Sequence, residues 1–322
     1  MIELRMSVAD LASTRFALSP LWEVTASIRV LKAPGEHLLH RRWARSAATR
    51  LRGSDLRLLF DLVPVPTKGL PAFLAPPPAT STPDLATELI AVRRLEPARI
   101  HSGLDMLPAT PAIDAFRADL GTGMERLVEA VERYWDAALA PWWPRIRTLC
   151  ERDLLYRSGL LAEGGAQRLF ADLSPQISWD PAGILRIDNR MTDLAESLDG
   201  RGLLLVPTVF GGGRVFSLTV APWQPTVRYA PRGLGLLWQS SARDAPAGLA
   251  GVLGPTRAAL LAALGEPAAT TDLAQRCGLT AGGVSQQLGL LHAAGLVSRH
   301  RVGRRVLYAR TLAAESLLAA QD

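Results

Sequence analysis

Between residues 255 and 311 four short elements follow one another with almost no chain to spare. The run PTRAALLAAL reads as one helix and TTDLAQRC as a second, N-capped by Thr270 or Thr271 and closed by Gly278, which can take the left-handed conformation at a helix end. A three-residue turn then leads through Thr280 into AGGVSQQLGLLHAAG, where Val284, Leu288 and Leu291 at i, i+4 and i+7 turn one apolar stripe inward. Ala281, Ser285, Gln286 and Gly289 fall on the outer face. Ala274, Gly278 and Val284 supply what two helices joined at a sharp angle require: a small residue where they touch, a glycine in the turn and a buried aliphatic on the second helix. Leu296 and Val297 run off that helix as a strand, Val302, Gly303 and Arg304 turn it, and Val306, Leu307 and Tyr308 return. This order predicts a winged helix-turn-helix.

The hairpin is strongly cationic. GLVSRHRVGRRVLYART, residues 295–311, holds five arginines and a histidine and no acidic side chain. In winged-helix geometry the second helix enters a DNA major groove and the hairpin lies over neighbouring phosphates. Arg299, Arg301, Arg304 and Arg305 are therefore the expected phosphate contacts, with Thr280 and Ser285 at the helix start and Gln286 and Gln287 placed to read base edges. Arg310, at the end of the return strand, is expected to be structural.

The segment VSQQLGLLHAAGLVSRHRVGRRVLYART resembles the recognition helix and wing of the ArsR family of bacterial winged-helix regulators, over about the last 60 residues. That resemblance implies a repressor that binds a partly palindromic operator in double-stranded DNA as a homodimer, with the closing helix LAAESLLAAQD adding to the dimer seam. Metal-sensing relatives carry paired cysteines on the helix before the recognition helix. Here AATTDLAQRC offers Cys277 alone, so neither metal nor cofactor is expected. Upstream, FALSPLWEVTASIRVL and YWDAALAPWWPRIRTLCERDLLYR resemble an uncharacterised domain fused ahead of such winged helices in high-GC bacteria.

Outside the C-terminal part, bulk charge is a poor guide. Of 36 basic residues only Lys32 and Lys68 are lysine, an arginine bias in keeping with high-GC codon usage, so the net charge of +6 says less than where the charge lies. The expected fold is α+β and mostly α: a helical N-terminal domain with a small antiparallel sheet over residues 1–245, for effector sensing and dimerisation, then the winged helix over 246–322. Seven prolines in residues 64–83 make a loop, helical spacing dominates residues 112–173 with weak points at Gly159, Gly164 and Gly165, and short β-rich runs fill residues 177–229. Residues 240–254 have the small-residue texture of a linker.

Several features invite a functional reading. The eight tryptophans could line an apolar pocket for a small-molecule effector, with Trp142 and Trp143 in the APWWPR corner and Trp22 as the candidates. His37 and His40 in HLLH share a face but lack further ligands. Cys277 reads most simply as a small buried residue, and the GGGR run at 211–214, without the ending of a phosphate-binding loop, as a turn. No apolar leader opens the chain and the longest uncharged run, residues 277–298, is too rich in glycine and polar residues to span a membrane, so a cytoplasmic protein is expected. Two rival functions are weaker. An enzyme lacks a nucleophile motif or cofactor loop here, and a winged helix that binds protein would carry an acidic or apolar outer face rather than a cationic one.

Overall fold

The computed structural model describes residues 1–66, 69–188, 193–238, 247–265, 267–302 and 305–319, with Leu236, Ala247, residues 300–302, Arg305 and Ala319 described by backbone alone. The chain divides into two compact units, Met1–Leu237 and Trp238–Asp322. The expected boundary at 245/246 lies at the edge of residues 239–246, outside the described residues.

Nine helices of the first unit are α1 (Val8–Ala12), α2 (Pro20–Lys32), α3 (Arg41–Arg50), α4 (Arg57–Asp61), α5 (Leu85–Arg93), α6 (Pro97–Asp105), α7 (Pro111–Ala118), α8 (Leu120–Tyr134) and α9 (Trp143–Ala171). Their starts are written in the sequence. Ser19, Asp84, Thr110 and Asp119 each accept a hydrogen bond from the backbone N–H three residues on, and Pro20 and Pro111 occupy first-turn positions whose N–H would go unused. Asp119 breaks what reads as one helix into two, and Gly123 lets α8 pack under the Phe116 ring, where a Cβ would lie 2.0 Å from a ring carbon. A π-helical turn, Trp135–Leu139, ends α8, and the Trp43 indole donates to the Ala138 carbonyl within it at 2.9 Å. Of the weak points expected in α9, Gly159 stays helical, while Gly164 and Gly165 leave helical geometry and kink the helix.

The β-rich runs form two sheets. Strands β1 (Ile2–Arg5), β3 (Ile177–Asp180), β4 (Ile184–Ile187) and β5 (Leu194–Ser197) lie in the order β3-β4-β1-β5, and β2 (Arg15–Phe16), β6 (Leu204–Pro207), β7 (Phe216–Leu218) and β8 (Thr226–Tyr229) in the order β2-β6-β8-β7. The α+β, mostly α class stands, but the single small antiparallel sheet does not. Strand β1 runs parallel to β5, and β6 runs parallel to both β2 and β8. Local alternation reveals a strand but not its partner, and the β1–β5 and β2–β6 pairings join segments about 190 residues apart. Leu4, Leu185, Leu205, Val227 and Tyr229 meet Leu169 and Phe170 of α9 in the core that joins the sheets.

In the second unit α10 (Ala247–Leu253) precedes α11 (Pro255–Ala263), β9 (Ala268–Ala269), α12 (Thr270–Cys277), α13 (Ala281–Ala293), β10 (Val297–Val302), β11 (Arg305–Arg310) and α14 (Leu312–Ala319). Two expectations are corrected. Residues 247–253 are helix rather than linker: Leu249 is buried, and Ala250 and Leu253 pack on the same core, so small residues there serve close packing. Neither Thr270 nor Thr271 caps α12. Strand β9 runs straight into the helix, the cap position falls on Ala269, and Asp272 accepts from the Ala269 N–H at 3.4 Å. The core gathers Leu260, Leu261, Leu273, Val284, Leu288, Leu291, Val297 and Tyr308.

Candidate nucleic-acid interface

Helix α13 is presented by a rigid turn. Gly278 sits at φ +65°, ψ 33°, and the Leu279 N–H donates to the Ala274 carbonyl at 2.9 Å, closing α12. Thr280 then caps α13 by accepting from the Gly283 N–H at 3.2 Å, which fixes its hydroxyl at the exposed start of the helix. With Val284, Leu288 and Leu291 buried, Ser285, Gln286 and Gly289 are exposed and Gln287 is half-buried. Ser285 and Gln286 make no side-chain hydrogen bond among the described residues, so their donors and acceptors face outward.

The hairpin is held at its base and extends outward. Its strands pair Val297 with Arg310, Arg299 with Tyr308, Arg301 with Val306 and Val302 with Arg305, leaving a two-residue connection. Beyond the hairpin, β11 also pairs with the two residues of β9, so the wing is one part of a three-stranded sheet. Two such residues are too short to show as a strand in the sequence. Arg310 is built in: its guanidinium donates to the Leu261 carbonyl at 2.7 Å and the Ala262 carbonyl at 2.6 Å and approaches Glu315 at 3.4 Å. Thr311 Oγ1 donates to the Gly295 carbonyl at 2.8 Å and His292 Nδ1 meets the Val297 carbonyl at 2.9 Å, tying the wing to the end of α13. Sequence reading missed Arg276, which anchors α12 by donating to the Ala263 carbonyl at 3.2 Å.

Arg299 is exposed and has no acidic partner among the described residues. Arg304 lies outside the described residues, as do the side chains of Arg301 and Arg305; the register pairs the backbone of Arg301 with Val306 and that of Arg305 with Val302. From residue 273 to residue 314 the chain holds six arginines and no aspartate or glutamate, so this segment supplies no carboxylate of its own to the wing arginines.

The tryptophan candidates are dispersed through the first unit. Trp22 is buried; its indole donates to Thr208 Oγ1 at 3.0 Å, with the Arg228 guanidinium 4.1 Å above its ring and Phe216 edge-on at 5.3 Å. This is a packing position. Trp142 and Trp143 are half-buried at the corner before α9, where Trp143 meets Trp135 edge-on at 5.1 Å and Arg145 lies over Trp142 at 5.9 Å. None of the three borders the small void among Leu21, Thr25, Leu59, Leu127 and Val131, whose volume of about 10 Å³ and almost wholly apolar lining leave no room for an effector.

The remaining candidates also find places. His40 is buried against Phe210, ring centroids 5.0 Å apart, and burial with the nearby His37 holds its imidazole down at about 4. Cys277 is half-buried beside the core and burial pushes its thiol up, which disfavours the reactive thiolate. Residues 211–213 are a turn. No cluster of three metal-ligating side chains occurs among the described residues, and no described helix is long and apolar enough to cross a membrane.

A family model described as a helix-turn-helix domain matches residues 253–300, which run from the end of α10 into β10. No curated protein and no solved structure matches the chain. A helix-turn-helix domain on this scaffold suggests a DNA-binding regulator of transcription.

Proposed function

We propose that the chain is a one-component transcriptional repressor of the ArsR type that binds a partly palindromic operator as a homodimer and is released by a small-molecule effector acting on residues 1–237. The observation that carries this reading is the pairing of an outward α13 face, where Ser285 and Gln286 have no hydrogen-bond partner among the described residues, with a flanking hairpin that has four candidate phosphate contacts and no carboxylate. Ser285, Gln286 and Gln287 read base edges, Thr280 approaches the backbone at the helix start, and Arg299, Arg301, Arg304 and Arg305 contact phosphates. Trp142 and Trp143 remain the aromatic candidates for effector contact. The protein acts in the cytoplasm, without catalysis of its own.

A dimer of such units spans two half-sites one helical turn, roughly 34–36 Å, apart. Effector binding lowers occupancy by favouring a state in which the half-sites no longer match, and inverting a mostly bound population takes about 5 kcal/mol of differential affinity. Footprinting the full chain on DNA flanking its own gene is expected to give two protected, inverted half-sites. A single unpaired footprint overturns the dimer, and failure to protect any segment overturns the operator reading.

A further inference from the structure

At the carboxyl end of β6 the chain turns through Thr208, Val209, Phe210 and three glycines before reaching Arg214. The first half of this turn is pinned from beneath. Glu23 of α2 is buried, and its carboxylate accepts from the Val209 N–H at 2.6 Å, the Phe210 N–H at 3.2 Å and the Thr208 hydroxyl at 3.2 Å. The second half has no such partner. Gly212 and Gly213 are exposed at φ +64° and +74°, a backbone shape that favours glycine, and neither N–H is taken by an acceptor among the described residues.

Three side chains lie near this turn, Arg29 by way of the Phe216 ring that packs beside Gly211. The Arg29 guanidinium lies 5.0 Å over the Phe216 ring, with its buried Nε lacking any acceptor among the described residues. Arg214 leaves the turn itself and is exposed. The His37 ring lies so close to Gly212 that a Cβ there would sit 2.9 Å from Cε1. Burial, Arg29 and Arg214 all hold His37 below its ordinary value while Glu36 opposes them; burial first and Arg214 second push Arg29 down, again against Glu36. Neither arginine makes an ion pair among the described residues. The single Glu36 carboxylate offsets part of the charge that Arg29 and Arg214 bring beside a donor-rich turn, and an anion bound there offsets the rest. The position fits, because β6 is flanked by the parallel strands β2 and β8, and ligands of such sheets bind outside the carboxyl ends of the strands.

We propose that Arg29, His37, Arg214 and the glycine turn at 211–213 form a binding site for the dianionic group of a small molecule, a phosphomonoester or a dicarboxylate. This deepens the reading of residues 1–237 as the sensing part and rests on it only for the consequence for DNA. The two guanidinium groups match two negative charges, neutral His37 donates one N–H, and the glycine amides complete the cradle.

Calorimetric titration of the full chain at constant ionic strength, with inorganic phosphate and with succinate as probes, tests the site. Saturable binding of at least one probe is expected, weakened about tenfold by Arg214→Gln through loss of one charged hydrogen bond. Binding should vanish in Arg29→Met/Arg214→Gln and persist in Arg304→Ala/Arg305→Ala, which excludes capture by the wing. The His37 ring resonance, identified with His37→Gln, should titrate at higher pH once the probe is bound. No saturable binding of either probe, or binding that survives the Arg29/Arg214 double change, overturns the proposal. Binding here without any change in DNA affinity upholds the site and overturns the sensing reading. Release of DNA by an effector that acts equally on the double variant overturns this site as the effector site and leaves sensing intact.

Discussion

Arg157 and Arg299 show how differently the two units treat the same side chain. Arg157 is shut inside the first unit, donating to Asp153 at 3.2 Å and to the Asp172 carbonyl and carboxylate at 2.7 and 3.1 Å, with the Tyr229 ring 5.1 Å away. Arg228 is buried too, bonded to the Ala75 carbonyl at 2.8 Å and held down at about 10 by desolvation, with Glu88 opposing. On the surface of the same unit Arg186 bridges Glu3 and Asp180. Arg299 stands on the wing of the second unit with no described acid in reach, among 42 residues without a carboxylate. One arginine is satisfied by its own chain, and the other is left to solvent and open to a partner from outside. Overall charge hides this distinction.

The largest expected effect tests the wing arginines. If a dimer places roughly six to ten cationic side chains on phosphates, affinity should fall by about three to five decades between about 50 and 200 mM salt. Fluorescence anisotropy over that range measures it, and a flat response breaks the comparison. Arg304→Ala/Arg305→Ala should weaken binding to related and unrelated DNA alike and lower the salt slope by about 0.9 for each phosphate that is no longer neutralised.

The inward arginine should answer to a different measurement. Arg157→Met leaves Asp153 buried with one remaining bond, from the Arg232 N–H at 3.0 Å, and removing one member of a buried pair costs about 3–5 kcal/mol. Urea unfolding reads that loss. A variant as stable as the parent would show that the pair contributes nothing beyond its own desolvation.

A third test uses pH. His40 titrates at about 4 in the folded chain and near 6.5 when unfolded, so on acidification the unfolded state takes the proton first. Its contribution is intact above about pH 6.5 and is lost as pH falls to about 4, a change of about 3 kcal/mol. Buried Glu23 and Glu88, both raised to about 7 chiefly by desolvation, change stability in the opposite sense between about pH 4.5 and 7. The difference between His40→Gln and the parent cancels their effect. Parallel stability curves for the two proteins would remove His40 as an acid-sensitive point.

Much of the second unit was legible because its determinants are local. Val284, Leu288 and Leu291 mark one helix face, Gly278 one turn, and the run of arginines without an acid one hairpin, all within a few residues of their effects. The first unit resisted for the opposite reason. No motif surrounds Glu23 in the sequence, yet α2 is buried on nearly every side and Glu23 is enclosed by a loop 185 residues later. A signal was present, since PLWEVTASI has no polar face broad enough for solvent. Nothing comparable announces that Arg29, His37 and Arg214 converge. Packing of α2 and the loop after it against the turn that follows β6, which only the folded chain displays, sets them near one another.

The smallest effect isolates sequence choice from charge. Gln286 is exposed on α13, carries no charge and has no intramolecular bond among the described residues, whereas Gln287 beside it is half-buried. A bidentate contact from glutamine to adenine discriminates against a wrong base by about 1–3 kcal/mol. Gln286→Ala should therefore relax preference at one or two base pairs while leaving the salt slope untouched, because every phosphate keeps its arginine. Binding selections on randomised half-sites, run with parent and variant at one salt concentration, resolve the position. A uniform loss across all sequences would move Gln286 from base reading to backbone positioning, and the source of specificity would then have to be sought at Ser285 or in the shape of the DNA.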